Sequence, residues 1–192
     1  LKKEDFEMNI VGFVGSPRRD GNTDTLVQQV LDGASEKGAN VRKFYINEME
    51  FIGCQGCGHC KSHDKCKIDD DMQKMLDAIV ESDGIVFGSP IYFGQFTGQA
   101  RMFIDRLYSL INPDFSPRIN SGKKVVLVGS QGYPDKTQYR PVFEEFSGII
   151  NQLFGMEVKN IIIGAGYTEL GDVANNVELM NDAMATGKNV IE

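Results

Sequence analysis

All four cysteines of the chain fall between positions 54 and 66, as Cys54-Gln55-Gly56-Cys57-Gly58-His59-Cys60 and then Lys61-Ser62-His63-Asp64-Lys65-Cys66, a C-x2-C-x2-C-x5-C spacing. Three sulfurs two residues apart, with glycines between them, curl into a tight bowl. A bowl of thiolates suits a cubane [4Fe–4S] cluster. Zinc matches less well, because its structural sites usually split their ligands into two separated pairs. Free thiols in a glycine-rich turn are the third reading. Cys54, Cys57 and Cys60 match the bacterial ferredoxin run, whereas Cys66 follows a longer gap and Lys67 stands where that run has proline. Lys61, Lys65 and Lys67 interleave with the last two cysteines, and His59 and His63 are the chain's two histidines. Cations beside a cluster favour its reduced, more negative form and raise its potential, unless solvent screens them.

A second chemistry is carried by Ser16-Pro17-Arg18-Arg19-Asp20-Gly21-Asn22-Thr23. It lies between an apolar run, Ile10 to Gly15, and a helical pattern with Leu26, Val27, Val30, Leu31 and Ala34 on one face. A helix N-terminus offers free N–H groups and a positive dipole end, which suits a phosphate. Ser16, Asn22 and Thr23 can donate to phosphate oxygens, and Arg18 can add charge. The stretch is neither a Walker A loop nor a G-x-G-x-x-G fingerprint. A capped helix start with solvated arginines is the competing reading. Further on, Ser89 to Gly98 is rich in aromatics and glycine. Tyr92, Phe93 and Phe96 can flank a flat heterocycle whose polar edge meets backbone groups near Gly94. Their alternative is packing in the core or at a subunit interface.

These loops need a scaffold. Apolar runs at Ile10–Gly15, Val41–Ile46, Gly84–Gly88, Lys123–Val128 and Val158–Ile163 read as five strands. Five amphipathic helices alternate with them, the second opened by Asp69-Asp70-Asp71 as capping carboxylates. The pattern predicts an α/β domain: a flavodoxin-like three-layer sandwich with a five-stranded parallel sheet in the order 2-1-3-4-5. Right-handed crossovers gather the loops at 16–23, 54–66, 89–98, 129–133 and 164–167 on one sheet edge. That order sets loops 16–23 and 89–98 side by side, and a phosphate loop next to an aromatic loop fits FMN. Ser130 and Gly132, from the loop after the fourth strand, join the candidate cofactor-binding set.

The 192 residues suit one domain at 9–192, with an N-terminal extension at 1–8. A net charge of -7 argues against nucleic-acid binding. No apolar run is long enough to span a membrane, and the charged N-terminus lacks a signal-peptide centre. The expected location is cytoplasmic, where closely packed cysteines point to metal or redox chemistry rather than to disulfides.

Gly15-Ser16-Pro17-Arg18 with Gly21-Asn22-Thr23, and Gly88-Ser89-Pro90-Ile91-Tyr92 with Phe103-Ile104-Asp105-Arg106, resemble the NADPH-dependent FMN reductase superfamily. The cysteine set resembles its iron–sulfur flavoprotein branch. The resemblance spans roughly residues 9–165 and implies FMN held by Ser16, Arg18, Asn22 and Thr23 at the phosphate and by Pro90, Ile91, Tyr92, Phe93 and Gly94 along the flavin. It implies a [4Fe–4S] cluster on Cys54, Cys57, Cys60 and Cys66. It also implies a homodimer or homotetramer, fed by a ferredoxin-like donor or NAD(P)H and reducing a small-molecule acceptor such as a quinone or an oxygen species. The alternative is a cluster-free NAD(P)H-dependent FMN or quinone reductase. No residue is assigned as catalytic.

Overall fold

A computed structural model describes residues 8–190; of the expected extension at 1–8, all but Met8 lies outside the described residues. In chain order the elements are β1 (Asn9–Val14), α1 (Asn22–Glu36), β2 (Asn40–Tyr45), α2 (His59–Ser62), α3 (Met72–Glu81), β3 (Gly84–Tyr92), β4 (Gln95–Phe96), α4 (Gly98–Arg106), β5 (Lys124–Gln131), α5 (Arg140–Phe154), β6 (Glu157–Ala165) and α6 (Val177–Asn189). The long strands pair in parallel in the order β2-β1-β3-β5-β6. This is the expected flavodoxin-like order, with β5 and β6 as the fourth and fifth long strands.

Strand alternation builds the two faces. Phe13, Phe87 and Leu127 point to the side carrying Met75, Phe103 and Phe143 of α3, α4 and α5. Val14, Val86 and Val128 point to the other side, against Leu26 and Val30 of α1 and Ala183 of α6. On that second face α1 and α6 pack backbone to backbone. A Cβ on Gly33 would lie 2.2 Å from the Met184 carbonyl oxygen, and one on Gly187 would lie 2.0 Å from that of Val30.

Two features depart from the sequence reading. The strand expected to end at Gly88 continues through Pro90, in register with Ser130, to Tyr92. Proline is tolerated there because β1 ends at Val14, opposite Gly88, and β4 pairs only from Ile91, so Pro90 has a ladder partner in β5 alone. The chain then reverses into the short antiparallel β4, a sixth strand. The two turn residues, Phe93 and Gly94, have φ of 52° and 83°, as a tight hairpin turn requires. The second departure is at Asp69–Asp71. Asp71 precedes α3 without capping it through its side chain. Asp70 accepts from the Met72 amide at 3.2 Å, but its carboxylate is chiefly engaged elsewhere, as described below.

Candidate flavin and cysteine sites

Helix α1 starts at Gly21 with no side-chain cap, so its first-turn N–H groups are available to a ligand. They face a cavity of about 230 Å³. Ser16, Arg18, Asn22 and Thr23 line it from the β1–α1 loop, Pro90, Ile91 and Tyr92 from the end of β3, and Ser130 and Gly132 from the end of β5. Gly88 lets the helix come this close, since a Cβ there would meet Val27 Cγ2 at 2.5 Å and Thr23 Cγ2 at 2.9 Å. Ser16 Oγ accepts from the Arg18 amide at 3.1 Å and sets the loop's turn. Thr23 Oγ1 and Ser130 Oγ share a buried hydrogen bond of 2.7 Å.

Part of the expected donor set is already employed. Asn22 donates from Nδ2 to the Glu169 carbonyl at 2.9 Å and accepts the Val173 amide on Oδ1 at 3.0 Å. One of its amide hydrogens is left for a ligand. Arg18 Nη1 donates to the Thr168 carbonyl at 3.0 Å. Tyr167, in the loop expected at this sheet edge, and Thr168 are therefore a wall of this site, held from behind by Glu169 and Val173; the residues after Tyr167 match no motif, and the sequence reading missed them. Asp24, in the first turn of α1, would repel an anion, but it is ion-paired with Lys43 at 2.7 Å. Burial works against the Lys43 ammonium, yet its bonds to Asp24 and Tyr45 hold its pKa above the ordinary value. The pair leaves the helix dipole free to act on a ligand.

A second cavity, of about 430 Å³, shares Ile91, Gln131 and Gly132 with the first and adds Phe93, Gly94, Tyr133 and Tyr139. All the flavin residues nominated from the sequence line one of the two cavities except Phe96, which is buried in the core against Phe87, Phe143 and Phe146, the other reading given for these aromatics. Gln131 was not nominated. Its Nε2 donates to the carbonyls of Tyr133 and Asp135 at 3.0 and 2.8 Å, while its buried Oε1 has no partner. The two cavities fit FMN in kind: anion-binding donors at one end and an aromatic, half-open slot at the other.

The cysteine loop departs from the expected sheet edge. It leaves β2 beside the start of α4, where Asn47 Oδ1 accepts from Gln99 at 2.8 Å, and runs along that helix to its far end. There Cys54, Cys57, Cys60 and Cys66 all line one cavity of about 130 Å³, together with Lys67, Arg106 and Tyr108. Thr97 caps α4 at the flavin end, donating to the Gly15 carbonyl at 2.7 Å, and Arg106 ends it at the cysteines. Nine residues at about 1.5 Å each put roughly 14 Å of helix between the two sites.

Gly56 and Gly58 adopt φ of 60° and 70° between the cysteines, a conformation that favours glycine. Helix α2 turns Cys60 inward, so it is buried, whereas Cys54 and Cys57 stay exposed. Two arginines fix the loop. Arg118 donates to the carbonyls of Cys60 at 2.6 Å and His63 at 3.0 Å. Arg106 donates to the Ile52 carbonyl before the loop and to the Asp70 carboxylate after it. Lys61 Nζ reaches the carbonyls of Tyr108 and Ile111, with burial pushing its pKa down. Among the described residues, no three His, Cys, Asp or Glu side chains stand close enough to share one metal ion. A cubane makes a different demand, because each thiolate binds a different iron and the sulfurs ring a larger body. Four cysteines around one cavity fit that arrangement better than a single zinc.

A parallel sheet with a dipole-backed loop at its switch point and an aromatic slot beside it defines a flavodoxin-like, flavin-binding fold. The chain belongs to the NADPH-dependent FMN reductase family, a family of FMN-dependent oxidoreductases whose sequence profile matches residues 8–151. An iron–sulfur flavoprotein of Methanosarcina thermophila is 32% identical over 131 residues, covering 68% of this chain and 69% of that protein. One from Methanocaldococcus jannaschii is 40% identical over 99 residues, covering 52% of this chain, which thus spans about half (51%) of that relative's length. Among solved structures, an NAD(P)H:quinone oxidoreductase from Methanothermobacter marburgensis superposes with a TM-score of 0.73 at 18% identity, over 96% of this chain and 99% of its own. That likeness is one of fold.

Proposed function

We propose that the chain is an iron–sulfur flavoprotein, an oxidoreductase that moves electrons between a [4Fe–4S] cluster, FMN and a redox partner. The observation that carries this reading is the convergence of all four cysteines on one cavity, separate from the flavin cavities. When bound, FMN supplies exchange of electron pairs and the cluster exchange of single electrons, so the two together link a hydride-type donor to ferredoxin-like partners.

The chain's own residues supply binding and position. The start of α1, with Ser16, Arg18, Asn22 and Thr23, takes the phosphate, and Ile91 to Gly94 with Gly132 flank the ring. Arg118 and Arg106 hold the cysteine loop in its curled form. The donor is a ferredoxin-like protein or NAD(P)H, and the acceptor a small molecule. Tyr92, Phe93 and Tyr133 form an exposed aromatic rim at the flavin cavity, which supports assembly as a homodimer or homotetramer. No described helix is long and apolar enough to cross a membrane. The net charge of -7 gives no basic footprint for nucleic acid.

Similarity of fold to the quinone oxidoreductase favours one further reading, a cluster-free NAD(P)H-dependent FMN or quinone reductase. Steady-state assays of the wild type and Cys57→Ala separate the two. The variant is expected to keep FMN and two-electron reduction by a hydride donor while losing one-electron exchange with a ferredoxin-like partner. One-electron exchange at the wild-type rate in the variant would support the cluster-free reading.

A further inference from the structure

The cysteine cavity has a residue on its wall that the cysteines alone do not require. Arg106 is 1% exposed. Its Nη1 donates to the Ile52 carbonyl at 2.7 Å and to Asp70 Oδ2 at 2.7 Å, and Nη2 donates to Asp70 Oδ1 at 2.9 Å. Its Nε–H is buried with no hydrogen-bond partner, and Cys66 lines the same cavity. We propose that Arg106 sets the redox potential of the cluster by donating a hydrogen bond from Nε to the Cys66 sulfur. This rests on the reading that the cysteines hold an iron–sulfur cluster.

The chemistry runs as follows. A guanidinium stays protonated and has donors only, so the buried Nε–H cannot be silenced by losing its proton. A thiol is a weak acceptor, whereas a metal-bound thiolate carries negative charge and takes a charge-assisted bond. Nε is therefore satisfied once Cys66 is a ligand. The Asp70 fork and the Ile52 carbonyl fix the guanidinium beside the cavity that Cys66 lines, so the position of Nε is set before any cluster arrives. Hydrogen bonds to ligand sulfurs tune cluster potentials, and a donor favours the reduced state because that state is more negative.

The test is Arg106→Lys in protein purified without oxygen. Lysine places a methylene where Nε stands and keeps a positive charge facing Asp70. Iron and sulfide are counted first, and the midpoint potential is then measured by redox titration with the cluster's spectral signal as readout. The expected result is an intact cluster whose potential falls by about 59 mV, a tenfold change in the one-electron equilibrium. An intact cluster with an unmoved or raised potential overturns the role of Arg106 and leaves the cluster reading standing. A wild type without iron and sulfide overturns both. If Arg106→Lys takes up no cluster, the wild type labelled with 15N at arginine Nε decides. Hyperfine coupling from that nitrogen to the reduced cluster supports the bond, and its absence overturns it.

Discussion

Arg106 and Asp70 are joined by two parallel hydrogen bonds, Nη1 to Oδ2 at 2.7 Å and Nη2 to Oδ1 at 2.9 Å, and the pair closes the base of the cysteine loop. Asp70 lies just beyond Cys66 and also accepts from the Ile52 amide at 3.2 Å, just before Cys54. The loop is thus pinned at both ends to one buried charge pair. The cysteines need not order themselves entirely at the moment a cluster binds.

Asp70→Asn is expected to destabilise the protein by about 3 kcal/mol or more, because it leaves the Arg106 charge buried without its partner. Burial alone would raise the Asp70 pKa, but Arg106 and the Ile52 and Met72 amides outweigh it and lower it. A depressed carboxyl contributes stability that is full above the ordinary value of about pH 3.9 and is lost as pH falls through the folded-state value. Unfolding temperature measured against pH should show a shallower acid decline in Asp70→Asn than in the wild type. Parallel acid limbs would show that the pair contributes nothing in that window.

Gly187→Ala should lower the unfolding temperature and leave FMN affinity unchanged. The added methyl meets the Val30 carbonyl oxygen at 2.0 Å, so α1 and α6 must separate, at about 1–3 kcal/mol for overpacking. The helix face involved is opposite the aromatic core and lines neither flavin cavity. Thermal unfolding with a parallel FMN titration checks both halves.

The strands, their order and the meeting of the 16–23 and 89–98 loops were legible in the sequence, because buried parallel strands are continuous apolar runs and the loops carry turn residues and hydroxyls. What was not legible depended on contacts distant along the chain. Asp70 looks like one of three capping carboxylates until Arg106, far along the chain, is seen to hold it. Pro90 reads as a loop residue because a proline breaks most ladders, and only the early end of β1 makes room for it. The residues after Tyr167 that back the flavin-cavity wall carry no motif, and Arg18 and Asn22 are the residues that bind them. The cysteine spacing showed that the sulfurs gather, but not that they gather at the far end of α4.

Arg18→Ala should weaken FMN binding by about one to two powers of ten, the scale of a lost charge-assisted hydrogen bond. Arg18 is exposed, and its recorded side-chain bond is to the Thr168 carbonyl, so stability should change little. Fluorescence titration of the apoprotein measures the affinity. An unchanged dissociation constant would move the phosphate away from this loop.

Lys65→Glu combined with Lys67→Glu should lower the cluster potential. The local field is visible at His59, where burial first, and then His63, Lys67 and Lys65, disfavour the protonated ring. Lys67 lines the cysteine cavity itself. Redox titration at low salt, where screening is weakest, gives the clearest reading. A potential that stays put or rises would assign these lysines to solvent.

The most direct test of the account is a count of iron, acid-labile sulfide, zinc and FMN per chain, with an absorption spectrum, on protein purified without oxygen. The account predicts about four iron and about four sulfide per chain, about one FMN, and no stoichiometric zinc. Protein that carries FMN with zinc in place of iron, or with four titratable free thiols and no sulfide, would contradict it.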